Sequence, residues 1–391
     1  MFQSAKIGLH PRSSLFGAYP GVCFVRKKLF ILLLGLVSLT SVAALPPFVI
    51  KKPFKLKLIN RGIAGEVLDF TNNHCRDNRI WSQALGKPVD AYVYLPPGYQ
   101  PEKTYPVFYW LHGFTQDENC LLDHILVPID SAITQGIIPP MVIVAPDGKL
   151  QNQPLFLSPG SFFANTKAGN YEDLLLEDII PFIEKNYSIA SGRENRIIGG
   201  VSMGGGSAAR IALKYPQKFA TCLGIFPPLN IRYETTRGNY LGKYVPGYWH
   251  FREDFSRGLE PMGKFFGGLV TIRLKQMLDP LYDRKDPDLA AKLAAENPTE
   301  LVAKHDNSLY PLSFYIASAG KDEFNIDSQV DTFLDAAEGS GIAITVDYSP
   351  RGRHSVRTAA KMAPASIRWL GQVLGSQKIR TDSENNLDSS K

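Results

Sequence analysis

Gly199-Gly200-Val201-Ser202-Met203-Gly204-Gly205-Gly206 follows directly on Arg196-Ile197-Ile198. The spacing reads as a strand that runs into a sharp turn at Ser202 and leaves it as a helix. A serine at such a turn has a strained backbone and an exposed hydroxyl, and glycines two residues to either side leave room for the neighbouring chain. The next residue presents its backbone N–H at a helix N-terminus, where negative charge is favoured. Small residues continue through Ala208 and Ala209, which lets the helix press close to a sheet, and Tyr215-Pro216 is the expected stop. Ser207 lies inside that helix without a second flanking glycine, so packing or capping is its expected role.

A nucleophilic serine needs a base, the base needs an orienting acid, and the developing oxyanion needs donors. In an α/β-hydrolase the order along the chain is Ser, acid, His. Three histidines follow Ser202: His250, His305 and His354. The first two fall in or beside a long insertion, before any acid at the next strand. His354 stands in the polar turn Pro350-Arg351-Gly352-Arg353-His354-Ser355, after the last expected strand, where the base belongs. The strand expected at 312–319 ends in Gly320-Lys321-Asp322-Glu323-Phe324, and Asp322 is the first carboxylate past it. Glu323 is expected to point elsewhere, Asp327 is further out, Asp331 belongs to the following helix, and Asp347 lies within a strand. Leu111-His112-Gly113-Phe114 ends another strand, so backbone N–H groups at Gly113 or Phe114 are expected to join that of Met203 in holding the oxyanion. His112 precedes the nucleophile and reads as a structural hydrogen-bonding group.

Strand signals recur at 89–95, 105–111, 141–145, 196–202, 221–226, 312–319 and 342–348, with helical patterns between most of them, as at 171–187, 203–215 and 328–337. That alternation implies an α/β fold: a mainly parallel central sheet with helices on both faces. The apolar runs Val107-Phe108-Tyr109-Trp110-Leu111 and Met141-Val142-Ile143-Val144 suit central strands buried on both sides. Residues 227–305 break the rhythm, being far longer than an ordinary connection. They hold Tyr233, Tyr240, Tyr244, Tyr248, Trp249, Phe251, Phe255, Phe265 and Phe266, and an amphipathic piece at 288–295. A cap-like insertion is expected here, a lid whose aromatics line an acyl or sugar site; the alternative is a helical layer packed away from the site.

The chain has 391 residues, enough for one large α/β core or two ordinary domains, with 44% hydrophobic and 20% charged residues. Its net charge of +6 misleads, because residues 1–44 hold Lys6, Arg12, Arg26, Lys27 and Lys28 and no acid. The remainder is close to neutral, which excludes an electrostatic case for nucleic-acid binding. Arg26-Lys27-Lys28, the apolar run 29–39 and the small residues Ser41-Val42-Ala43-Ala44 read as a secretory signal, with initiation expected near Val25. The run is short of the ~20 residues a membrane span needs, so membrane attachment is expected only through an uncleaved signal. The expected plan is an N-terminal extension and signal peptide over 1–44, a hydrolase domain over 45–375, and a polar, structureless tail over 376–391. Cys23, Cys75, Cys120 and Cys222 form neither a metal pattern nor a disulfide framework, and Cys222 reads as a buried thiol. No metal or other cofactor is expected.

Tyr94-Leu95-Pro96-Pro97-Gly98-Tyr99, Tyr105-Pro106-Val107, Leu111-His112-Gly113 and Ala145-Pro146-Asp147-Gly148 combine with Gly200-Val201-Ser202-Met203-Gly204-Gly205, Gly320-Lys321-Asp322-Glu323 and Gly352-Arg353-His354-Ser355. Together they resemble the putative-esterase family of α/β-hydrolases, over about residues 60–374. Esterase D (S-formylglutathione hydrolase), feruloyl and acetylxylan esterases, enterochelin esterase and the mycolyltransferases look similar. The resemblance implies Ser202, Asp322 and His354 as a triad that works without a metal. The long 227–305 segment departs from the family pattern. The expectation is an exported serine hydrolase that cleaves small-molecule or glycan-linked carboxylic esters, such as acetyl or feruloyl esters of polysaccharide. Acyl transfer to a sugar or lipid alcohol is the rival enzyme reading, and a non-catalytic carbohydrate- or envelope-binding protein the rival outside enzymology.

Overall fold

A computed structural model of the chain describes residues 55–150, 159–265 and 270–388. The expected signal segment, the initiation site and Cys23 lie outside the described residues.

Eight strands form the central sheet: β1 (Glu66–Phe70), β2 (Ala91–Leu95), β3 (Val107–Leu111), β4 (Val142–Pro146), β5 (Arg196–Val201), β6 (Thr221–Ile225), β7 (Ser313–Ala319) and β8 (Ala343–Ser349). Their order is β1-β2-β4-β3-β5-β6-β7-β8, with β1/β2 and β2/β4 antiparallel and the other pairs parallel. β3, β4 and β6 are buried at every position. Successive strand residues face opposite ways, so both faces of the sheet centre are covered. The coverings are two groups of helices. α3 (Met203–Lys214) and α4 (Ile326–Ala337) both pack on the short helix Pro298–Val302, whereas α5 (Val356–Asp388) packs on α1 (Leu126–Thr134).

The expected strands are present, with two informative differences. β1 was not legible: it is a short edge strand in which Glu66 and Asp69 interrupt the apolar pattern. The single strand expected at 89–95 is divided at Asp90, whose carboxylate accepts the Asn72 N–H at 2.9 Å. Lys87–Val89 turns back on Ile80–Ser82 as a separate hairpin, and only β2 enters the sheet. The helix expected at 171–187 is present but uneven. It begins as Tyr171–Asp173, widens to π-helical Leu174–Ile179 and resumes as α2 (Ile180–Asn186). Pro181 supplies no N–H, so the ladder is interrupted just where the π turn lies. Leu121–Ile125 repeats the device ahead of Pro128 in α1.

The tail also differs from the expectation. α5 continues through Ser376 to Asp388, because this polar stretch has no glycine or proline after Gly375, and polarity alone does not oppose a helix.

Residues 227–305 form two hairpins, Tyr233–Thr235 with Trp249–Phe251 and Pro261–Phe265 with Val270–Arg273, and the helices Leu274–Leu278, Leu289–Ala294 and Pro298–Val302. This insertion has a small apolar core of its own around Tyr240, Phe255, Met262, Leu274, Leu289 and Leu293. Register aligns the ends of the parallel strands: Leu111 lies opposite Gly200, Val201 opposite Ile225, and Ile225 opposite Ala317. The loops that leave these carboxyl ends therefore meet along one rim of the sheet, where ligands of open α/β sheets bind.

Candidate active site

Ser202 is the turn residue between β5 and α3, with φ 54° and ψ −121°, a region that non-glycine residues rarely occupy. Two bonds hold it there. Its N–H donates to Ile225 O at 2.7 Å, and its carbonyl accepts the Gly206 N–H at 3.1 Å. The flanking glycines are sterically required: a Cβ on Gly200 would lie 2.4 Å from Leu111 O, and one on Gly204 would lie 2.0 Å from the same atom. The end of β3 thus passes close under the turn. Ser207 is buried, its hydroxyl 2.7 Å from Phe162 O and 2.8 Å from Met203 O, which is a packing role.

The loops after β7 and β8 bring the other two groups to the serine. His354 Nε2 lies 3.0 Å from Ser202 Oγ, and His354 Nδ1 lies 2.8 Å from Asp322 Oδ2. The Asp322 side chain is fully buried, and its other oxygen accepts the Phe324 N–H at 2.8 Å. A buried carboxylate with both oxygens engaged is fixed in orientation and favours a proton on the facing imidazole nitrogen. The imidazole lies between two rings, Phe226 at 5.3 Å and Phe324 at 4.9 Å between centroids.

Glu323 has a part that sequence reasoning missed. It points away from Ser202, as expected, but its Oε2 accepts the backbone N–H of His354 at 2.9 Å while Oε1 accepts Arg353 Nε at 2.6 Å. One turn therefore holds the base twice, at the ring through Asp322 and at the main chain through Glu323. Asp347 accepts the Tyr315 hydroxyl at 3.0 Å within the sheet, and Asp327 pairs with Lys243 at 2.5 Å. His250 faces Glu234 in the insertion, and His305 Nε2 faces Tyr310 O.

The oxyanion loop needs one correction. Gly113 is at the serine, since a Cβ there would come within 3.6 Å of Ser202 Cβ. Its N–H, however, donates to Gln116 Oε1 at 2.9 Å, and Gln116 N–H returns a bond to Gly113 O at 3.0 Å. Gly113 thus supplies close approach rather than a donor. The amides of Phe114 and Met203 have no hydrogen-bond acceptor among the described residues. Gln116, which sets this loop, has no sequence signature beyond standing three residues past Gly113. His112 is buried and structural: Nδ1 donates to Gly113 O at 2.8 Å, and Nε2 accepts the Gly148 N–H at 2.8 Å.

A continuous cavity of about 490 Å³ opens from Ser202 and His354. The insertion contributes Tyr240, Ile272 and Met277 to its wall. Of the aromatics expected to line the site, Tyr240 does so, whereas Phe255 is spent on the insertion's own core and Trp249 packs on Tyr233 and Phe251. Among the described residues no group of three His, Cys, Asp or Glu side chains is placed to hold a metal ion. Cys75, Cys120 and Cys222 are free thiols, with Cys222 fully buried and its thiol pushed up in pKa by that burial.

Residues 82–307, more than half of the chain, match the family model described as Putative esterase. The chain belongs to this family. The matched stretch of this esterase chain carries Ser202 and the oxyanion loop and ends before Asp322. An endo-1,4-beta-xylanase/feruloyl esterase of Xylanibacter ruminicola is 32% identical over 158 residues, 39% of this chain and 21% of that protein. Esterase Rv1288 of Mycobacterium tuberculosis is 27% identical over 270 residues, 68% of this chain and 50% of its own length. The chain thus spans half or less of these curated relatives. A solved ferulic acid esterase superposes with a TM-score of 0.56 at 18% identity, covering 79% of this chain and 99% of that one. The fold is that of the α/β-hydrolases.

Proposed function

We propose that this esterase works through an acyl-enzyme formed on Ser202. The observation that carries the reading is the relay Ser202 Oγ–His354–Asp322, with links of 3.0 and 2.8 Å, at the rim of a cavity. His354 Nε2 takes the hydroxyl proton as Ser202 Oγ attacks the ester carbonyl. The N–H groups of Met203 and Phe114 receive the oxyanion, and the α3 N-terminus adds a favourable field. His354 then gives its proton to the leaving alcohol, and the acyl group stays on Ser202. A water, deprotonated by the same imidazole, attacks the acyl-enzyme; the bond from the acyl carbon to Ser202 Oγ breaks, His354 returns the proton to Oγ, and the acid is freed. Asp322 holds the ring and stabilises its cationic form throughout.

The basic start and apolar run of residues 26–44 support export of the protein. The relatives named as feruloyl esterases make feruloyl esters a reference substrate. Fluorophosphonate labelling and hydrolysis of p-nitrophenyl acetate test the reading. Both are expected in the wild type and absent in Ser202→Ala; labelling that persists in the variant rejects Ser202 as nucleophile.

A further inference from the structure

The cavity at Ser202 does not end at the triad. Past the serine it continues between α1 and α5 down to the sheet, where Trp110, Leu223 and Ile225 lie in its wall. On α5 the lining residues Ala359, Ala363, Ile367 and Leu370 recur at helical spacing, so one stripe of the helix faces the space. Ile129 of α1 stands in the opposite wall. The two alanines keep that stripe shallow, where larger side chains would let the helices close on each other. Protein interiors are packed to crystal density, so a void of this size joined to a nucleophile has an occupant during turnover.

From these walls we infer that the deep arm takes an unbranched aliphatic acyl chain, so that the preferred substrates are medium- to long-chain fatty acyl esters. The inference rests on the serine-esterase reading above. The chemistry of the arm selects the chain. Ser366 Oγ donates to Ala363 O in its own helix, and the Trp110 indole N–H is buried without a hydrogen-bond partner of ordinary length, beside the Cys120 thiol. A methylene chain gains by burial against the apolar side chains of these walls. The carbonyl would sit at Ser202 beneath the Met203 and Phe114 amides, the chain would run between α1 and α5, and the alcohol would leave past Tyr240 and Met277.

The test is kcat/KM for p-nitrophenyl acetate, butyrate, octanoate, dodecanoate and palmitate, with methyl ferulate beside them, on the full chain. Burying each methylene is worth about a fourfold gain, so a rise on the order of 10²-fold from butyrate to octanoate is expected, levelling off where the arm is full. In Ala363→Trp and, separately, Ile129→Trp, the ratio of dodecanoate to acetate is expected to fall on the order of 10²-fold. Fluorophosphonate labelling and thermal unfolding report whether each variant is folded. A wild-type profile that is flat or falls beyond butyrate overturns the inference, as does faster turnover of methyl ferulate than of any aliphatic ester. An unchanged ratio in a folded variant overturns it too. Acetate hydrolysis that survives in Ser202→Ala instead rejects the underlying esterase reading, whatever the chain-length profile.

Discussion

Asp322 and Glu323 are neighbours in sequence, yet they hold His354 by different atoms, and their loss should show different signatures. Asp322→Asn removes the charge that stabilises the imidazolium and the acceptor that fixes the tautomer, at an expected cost of roughly 10⁴ in kcat. Glu323→Ala frees the His354 main chain and is expected to lower kcat about tenfold with KM little changed, because the ring keeps its own partner. Glu323→Gln retains an acceptor for the His354 N–H and should recover most of that loss. Steady-state kinetics of the three variants on one ester checks the set; equal damage in Glu323→Gln and Glu323→Ala would show that charge, not positioning, is at work. That Ser202, Asp322 and His354 come together was legible because chain order and strand ends constrain them. Ser202 announces itself through glycines whose Cβ atoms would strike Leu111 O, and His354 follows the last strand. Glu323 and Gln116 were not legible. Each acts on a backbone N–H, and no residue pattern records which amide in a folded loop lacks a partner.

At the scale of elements, the break between Lys87–Val89 and β2 has a measurable cost. Burial pushes the Asp90 carboxyl up to about 6, with the nearby Asp147 charge adding to the shift and the Asn72 N–H opposing it. The folded chain then holds a proton at Asp90 that the unfolded chain has released, so stability falls as pH rises from about 4 to 6. Asp90→Asn keeps an acceptor for Asn72 and removes the charge. It is expected to stabilise the protein by about 3 kcal/mol at pH 7 and by almost nothing below pH ~4. Denaturant unfolding at the two pH values decides it; an equal gain at both would place the effect elsewhere. The strands themselves were readable wherever both faces are buried, as in β3 and β4, since a continuous apolar run has few other uses. β1 escaped because an edge strand needs only one apolar face and a partner, and its partner β2 lies some twenty residues away, a distance the local pattern does not encode.

Across the whole molecule, the insertion is stitched to the helix that begins just beyond the acid. Asn325 Nδ2 donates to Tyr240 O at 2.8 Å and Gly242 O at 2.9 Å, Gln329 Nε2 donates to the Tyr240 hydroxyl at 2.7 Å, and Tyr244 N–H donates to Ser328 Oγ at 3.0 Å. At its other end, Glu296 pairs with Arg210 and Lys214 of α3, at 2.6 and 2.7 Å. The length and composition of 227–305 marked it as an insertion but did not record these bonds, which join residues more than eighty positions apart. Asn325 has a left-handed backbone, φ 56°, so Asn325→Gly deletes the amide without straining the chain. That variant is expected to lose about 2 kcal/mol of stability and to lose ester hydrolysis on heating before the sheet unfolds, as followed by activity and circular dichroism in parallel. Coincident transitions would show that insertion and sheet melt as one. Asp322, Phe324 and Asn325 occupy a single turn, and that turn is both the seat of the acid and the latch of the insertion. Loosening that turn by mutation is therefore expected to slacken the grip on the His354 imidazole as well.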